Sequence, residues 1–200
     1  MKIDFYFGLG SRYSYLAATQ VACLVDAGAE LDWRPIYSPD LIRRTGPDPF
    51  ASSSKRGQYA TTYRAQDAQR WAAHYGVAYH DPGDAAVDWH RVAQWAVAAR
   101  LLGRGVEFST WALSETFAFG RPLVDEGALA EGAASVGLDV AAIHHQISSG
   151  AAHAHHADLV DRADQQGAFG VPTFVAADGT LFWGQDRLPL MLDFLASKRT

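Results

Sequence analysis

Apolar and polar positions alternate at both ends of this chain and repeat at helical spacing through its middle. At the front, KIDFYFG alternates and is rich in aromatic residues, which predicts a strand near residues 2–7. An apolar helical run follows from about Arg12 to Ala27, and Gly28 stands where a helix-ending glycine belongs. AELDWRPIY predicts a second strand near 30–37, with Pro35 marking an edge or a strand end. The next segment, SPDLIRRTGPDPFASSSKRG, is dense in turn formers and predicts a loop carrying at most a short helix. From about Tyr59 to Gln166 the texture changes to alanine-rich amphipathic segments, enough for five or six helices with no fixed repeat. Gly76, Gly103, Gly120 and Gly137 fall at expected helix ends, and Asp125 and Asp139 at expected N-caps. GVPTFVAADGTLFWG then predicts a hairpin around its Asp-Gly turn, and QDRLPLMLDFLASKR predicts a closing helix.

The order is β-α-β, a long helical stretch, then β-β-α. A parallel crossover unit and a hairpin can merge into one mixed four-stranded sheet. This is the thioredoxin order: an α/β, thioredoxin-like fold with a large all-helical insertion domain. The predicted division assigns 1–37 and 167–200 to the thioredoxin-like domain, and 38–166 to a loop plus the helical insertion.

Composition narrows the functional classes. The chain has 200 residues, 48% hydrophobic and 20% charged, which is ordinary for a globular protein. A net charge of -5 argues against nucleic acid or an anionic membrane surface as partner. No apolar run approaches the ~20 residues of a spanning helix. MKIDFYFG enters a strand directly, so no leader is expected and the cytoplasm is the default location. The lone cysteine, Cys23, cannot form an internal disulfide, and its apolar surroundings predict a small buried residue. His144, His145, His153, His155 and His156 cluster, but no cysteine or tidy histidine–carboxylate pair accompanies them. They are read as a solvated helix–loop segment, and no metal site is expected. GLGSRYS lacks the glycine spacing of nucleotide-binding loops. The six tryptophans are mostly core, with one or two available to line an aromatic pocket.

Chemistry concentrates at the two ends. In FYFGLGSRYSYLAATQ, Ser11 and Ser14 sit three residues apart where a strand gives way to a helix. Two cysteines at that spacing would suggest a disulfide oxidoreductase. A serine at a helix start either caps the helix or donates its hydroxyl to a bound anion. At the far end, GAFGVPTFV places Pro172 at a strand entry, where the X-Pro bond can be cis or trans. If it is cis, the backbone groups of Val171 are open to an added peptide strand.

DFYFGLGSRYSYLA, YRAQDAQRWAAHYGV, GAFGVPTFV and LFWGQDRL together resemble the 2-hydroxychromene-2-carboxylate isomerases and kappa-class glutathione transferases, which belong to the DsbA-like thioredoxin superfamily. The likeness runs in order over nearly the whole chain. It implies that serine replaces the redox cysteine and holds the thiol of glutathione instead. A serine O–H donor and a helix N-terminus both favour a thiolate. By position, Ser11 matches the catalytic serine, with Tyr13 in the thiol pocket. Val171 and Pro172 match the segment that binds glutathione's cysteinyl backbone. Gln185, Asp186 and Arg187 match the segment at its γ-glutamyl end. Asp186 serves equally as an N-cap of the last helix.

The chain also departs from its relatives. Arg12 replaces their usual Pro, Asp48 stands for an amide, and Ala60 stands for a Lys. Lys55 and Arg56 are candidates to replace that Lys and to meet a carboxylated substrate, with Phe50 and Trp89 as further substrate contacts. The resemblance implies a glutathione-dependent isomerase of an aromatic or conjugated carboxylic acid, working by reversible thiolate addition and bond rotation. A kappa-like transferase conjugating an electrophile, and a non-catalytic thioredoxin-fold binding protein, remain open. A homodimer is expected by the same likeness.

Overall fold

The computed structural model describes residues 1–47, 57–83 and 85–199 of the chain. Four strands form one sheet in the order β2-β1-β3-β4: β1 (Lys2–Phe7), β2 (Glu30–Pro35), β3 (Thr173–Ala176) and β4 (Leu181–Trp183). The β1–β2 pair is parallel, and β1–β3 and β3–β4 are antiparallel. This is the mixed sheet that the sequence predicts, with Pro35 at the end of an edge strand where its missing N–H costs nothing. The hairpin turn closes through the Asp178 carboxylate, which accepts the Thr180 N–H at 3.0 Å.

The crossover from β1 to β2 is two helices rather than one: α1 (Arg12–Gln20) and α2 (Ala22–Asp26). The Thr19 hydroxyl donates to the Leu16 carbonyl at 2.7 Å, and the Leu24 N–H turns to Val21 three residues back. Such side-chain competition and tightening bend a helix. Beyond β2, Ser38–Thr45 is a regular helix, α3, where the sequence allowed at most a short one.

Six α-helices then precede β3: α4 (Thr61–Tyr75), α5 (Trp89–Leu101), α6 (Gly105–Leu113), α7 (Glu126–Ser135), α8 (Val140–Ser148) and α9 (Ala151–Gln165). Their predicted punctuation is present. Asp125 and Asp139 accept first-turn N–H groups, and Gly76, Gly103, Gly120 and Gly137 all take positive φ. The segment after α6 continues as a π-turn over Ser114–Ala118. Helix α5 is the axis of this region, with Val92 to Ala99 buried throughout. The last helix, α10 (Leu188–Ser197), follows a 3₁₀ turn over Gln185–Arg187.

Alternation along β1 splits its side chains between two environments. Ile3, Phe5 and Phe7 join an aromatic core in which Phe5 stacks on Phe174 at 4.6 Å and meets Trp33 edge-on at 5.0 Å. Asp4 and Tyr6 enter a buried polar hub. Asp4 and Asp32 lie side by side on parallel strands, a repulsive arrangement. Arg34 bridges them at 2.8 Å and 2.7 Å. Arg100 of α5 reaches Asp32 at 2.7 Å, and Arg162 of α9 reaches Asp4 at 3.4 Å. Gln166 closes the hub, donating to Asp4 and accepting from the Tyr6 hydroxyl at 2.6 Å. Burial raises the Asp32 pKa, but Arg100 and Arg34 outweigh it and hold the carboxyl below its ordinary range.

Candidate functional site

A cleft of about 1060 Å³ opens where the N-terminus of α1, the face of α4, helix α3, the loop before β3 and the turn after β4 meet. Such a volume sits at the upper end of the ~300–1,000 Å³ typical of small-molecule sites. Ser11, Tyr13, Trp89, Val171, Pro172, Gln185, Asp186 and Arg187 all line it, although the sequence spreads them over 177 positions from 11 to 187. Phe50, Lys55 and Arg56, together with Asp48, lie outside the described residues.

The serine turn has a divided role. Ser11 is the N-cap of α1: its Oγ accepts the Ser14 N–H at 3.2 Å, and its carbonyl accepts the Tyr15 N–H. Oγ keeps its own proton to donate outward. The N–H groups of Arg12 and Tyr13 belong to the first turn, whose donors have no helical partner, and the dipole is positive there. Ser14 is fully buried, and its Oγ accepts the Gly8 N–H at 3.2 Å. The two serines therefore differ: Ser11 faces the cleft and Ser14 ties the helix to the strand end. The glycines around them leave room for neighbours. A Cβ on Gly10 would lie 2.7 Å from the Trp89 ring, and one on Gly8 would lie 3.3 Å from Val171. Trp89 thus packs directly on the turn.

Arg12 does not enter the cleft. It pairs with Asp81 at 2.8 Å, and the Tyr79 hydroxyl donates to the same carboxylate at 3.0 Å. The residue that replaces the relatives' proline therefore fastens the helix start to the segment after α4.

Helix α4 supplies a wall that the sequence reading did not identify. Arg64, Asp67 and Trp71 recur at helical spacing and all line the cleft. The Tyr13 hydroxyl donates to Asp67 at 2.9 Å. Burial, then this bond and the Asp67 charge, push the Tyr13 phenol up to about 12. The Arg64 guanidinium carbon lies 5.6 Å from the Tyr13 ring centre. Burial first, then Arg12, lowers the pKa of Arg64. The spacing of 64, 67 and 71 was available in the sequence. What was not available was that this face of α4 turns to α1.

On the opposite wall the Val171–Pro172 peptide is cis. The Pro172 carbonyl accepts the Gly184 N–H at 2.9 Å, joining this loop to the turn after β4. Among the described residues, neither backbone group of Val171 takes part in a hydrogen bond. Gln185 is buried, and its carbonyl accepts the Tyr75 hydroxyl at 3.3 Å. The Asp186 carboxylate pairs with Arg187 at 3.2 Å. Helix α10 has Arg187 as N-cap with no side-chain bond, so the capping role offered for Asp186 is not taken up.

Two other expectations change. The histidine run is not wholly solvated: His156 is 3% exposed, and its Nε2 accepts the Tyr37 N–H at 2.9 Å. That bond anchors the start of α3 to α9. Cys23 is partly rather than fully buried, and burial still raises its thiol pKa. Trp71, Trp89 and Trp183 line the cleft, while Trp95 is core. Among the described residues, no group of three or more His, Cys, Asp or Glu is placed to hold a metal. Among them, too, no helix is long and apolar enough to cross a membrane.

A thioredoxin-like sheet with a helical insertion and a capping serine at the redox turn defines a class, and comparison with known proteins agrees. Residues 2–196 match the model of the DSBA-like thioredoxin domain, and the chain belongs to that family. A 2-hydroxychromene-2-carboxylate isomerase of Sphingobium xenophagum is 31% identical over 96% of this chain and 97% of its own. A second isomerase of that name, from Pseudomonas putida, is 27% identical over 94% and 91%. A solved 2-hydroxychromene-2-carboxylate isomerase superposes with a TM-score of 0.81 at 24% identity, covering 98% of this chain and 95% of that one.

Proposed function

We propose that this protein is a glutathione-dependent isomerase acting on an aromatic or conjugated carboxylic acid of the 2-hydroxychromene-2-carboxylate kind. The observation that carries the reading is the position of Ser11. It caps α1 with a hydroxyl proton to spare, in one cleft with Val171, Gln185 and Asp186. When bound, glutathione would supply a thiolate that adds to a conjugated carbon, frees a bond to rotate, and leaves unchanged.

The residues present fit that tripeptide. The unpaired N–H and C=O of Val171 can pair with its cysteinyl backbone as an added strand. Asp186 can hold its ammonium, beside the first-turn donors of the 185–187 segment. The volume leaves room for a second small molecule. A free thiol has a pKa of roughly 8.5, so little of it is ionised at neutral pH. The Ser11 O–H and the first-turn N–H groups of α1 stabilise the charged form. Serine cannot form a disulfide, so redox exchange is removed and thiolate stabilisation kept. Trp89 and the Tyr13 ring flank Ser11 and offer apolar faces to an aromatic substrate.

The test is glutathione titration calorimetry on wild type and Ser11→Ala, with the thiolate ultraviolet band followed against pH. A depressed thiol pKa in wild type that reverts in Ser11→Ala is the expected result. Absence of binding, or binding indifferent to Ser11, would sink the proposal. A glutathione adduct as net product would instead indicate a transferase.

A further inference from the structure

The α4 wall carries chemistry that glutathione alone does not use. Arg64 and Arg187 are the basic side chains lining the cleft among the described residues. Arg187 is paired with Asp186. Arg12, close by, is committed to Asp81. Arg64 lies beside the Tyr13 ring, and the adjacent carboxylate, Asp67, accepts the Tyr13 hydroxyl. A guanidinium supported by an aromatic ring offers a planar fork suited to a carboxylate.

Position separates this cation from the glutathione end of the cleft. Tyr75, eleven residues beyond Arg64 on α4, bonds the Gln185 carbonyl. At 1.5 Å per residue the two points are about 16 Å apart along the helix. Three residues fully extended span only about 11 Å, and a γ-linkage adds little. A tripeptide held at Gln185 and Asp186 therefore stops short of Arg64. Tyr13 is two residues past Ser11 on the first turn of α1. A carboxylate on Arg64 would thus sit next to carbon presented at Ser11.

We propose that Arg64 is the receptor for the carboxylate of the second substrate and sets the preference of this cleft for acids. This rests on the glutathione reading for its assignment of the two ends, but its test does not. Binding of trans-cinnamate and methyl cinnamate to the full chain is followed by tryptophan fluorescence, in wild type, Arg64→Gln and Arg64→Lys. Loss of a charged hydrogen-bonded contact predicts about 10- to 100-fold weaker binding of the acid to Arg64→Gln. The ester should change by less than about twofold, and Arg64→Lys should recover part of the loss, since it keeps the charge but not the fork. Glutathione affinity, measured in parallel, should be the same in all three proteins. Acid and ester weakening together would assign Arg64 a structural role and overturn the proposal. A wild type that prefers the ester, or an unchanged acid affinity, would overturn it too. So would a loss of glutathione affinity with acid binding intact. If wild type binds no glutathione, the functional reading fails, while the acid–ester comparison still judges Arg64.

Discussion

Replacing His156 separates two jobs that one imidazole performs: accepting a backbone hydrogen bond and titrating. Its Nε2 accepts the Tyr37 N–H, so in the neutral ring the proton is on Nδ1, which faces Asp40 at 3.8 Å. Burial pushes the pKa below its ordinary value; Asp40 opposes this, and His90 and His153 reinforce it. The sign follows directly. The unfolded chain takes up the proton first, so stability is full above about pH 6.5 and falls as pH drops through the lowered folded value. Protonation turns Nε2 into a donor facing the Tyr37 N–H. The lost bond and stranded donor are worth about 1–3 kcal/mol, or about 2–4 °C of melting temperature for each kcal/mol in a chain of this size. His156→Leu should lose that amount at every pH. His156→Gln keeps an acceptor without the titration, so it should match wild type near neutrality and outlast it in acid. Thermal melts of the three proteins between about pH 8 and pH 5 make the comparison. Parallel curves for wild type and His156→Gln would refute the reasoning.

Other expectations follow from single contacts. Gly10→Ala puts a Cβ 2.7 Å from the Trp89 ring, so the ring must move. A cost of about 1–3 kcal/mol is expected, read by chemical denaturation with a shifted tryptophan emission. Ser11→Cys places a thiol at the start of α1 without a resolving partner at Ser14. Exposure to glutathione disulfide should trap a stable mixed disulfide, seen as a glutathione-sized mass gain, and an unmodified protein would count against the thiolate-stabilising turn. Asp186→Ala should weaken glutathione about tenfold or more if the carboxylate holds the ammonium, with calorimetry as the readout.

Elements whose signal is local were legible in the sequence. Lys2–Phe7, the Asp178–Gly179 turn, the Asp125 and Asp139 caps and the helix-ending glycines each depend on neighbours a few positions away. The break at Val21 was hidden because it comes from a Thr19 hydroxyl competing for a carbonyl inside an otherwise periodic run. Helix α3 was hidden because turn formers fill its surroundings, while its start is held by His156 over a hundred residues away. The same distance concealed the burial of that histidine. At the site, motif residues were legible because each sits at a strand end or a helix start. Arg64 and Asp67 were not, because an Arg and an Asp on an exposed helix face look alike until the partner helix is known.

Arg34 has a consequence for anyone who would trim this chain to its sheet. Deleting the inserted helices would remove Arg100 and Arg162 from the hub, leaving two carboxylates, Asp4 and Asp32, to share one guanidinium. A surplus negative charge would then be fixed on adjacent strands at the centre of the sheet. The inserted helices are thus counterions to the strands they interrupt. A minimal version of this protein would need Asp4 or Asp32 neutralised before it could be expected to fold.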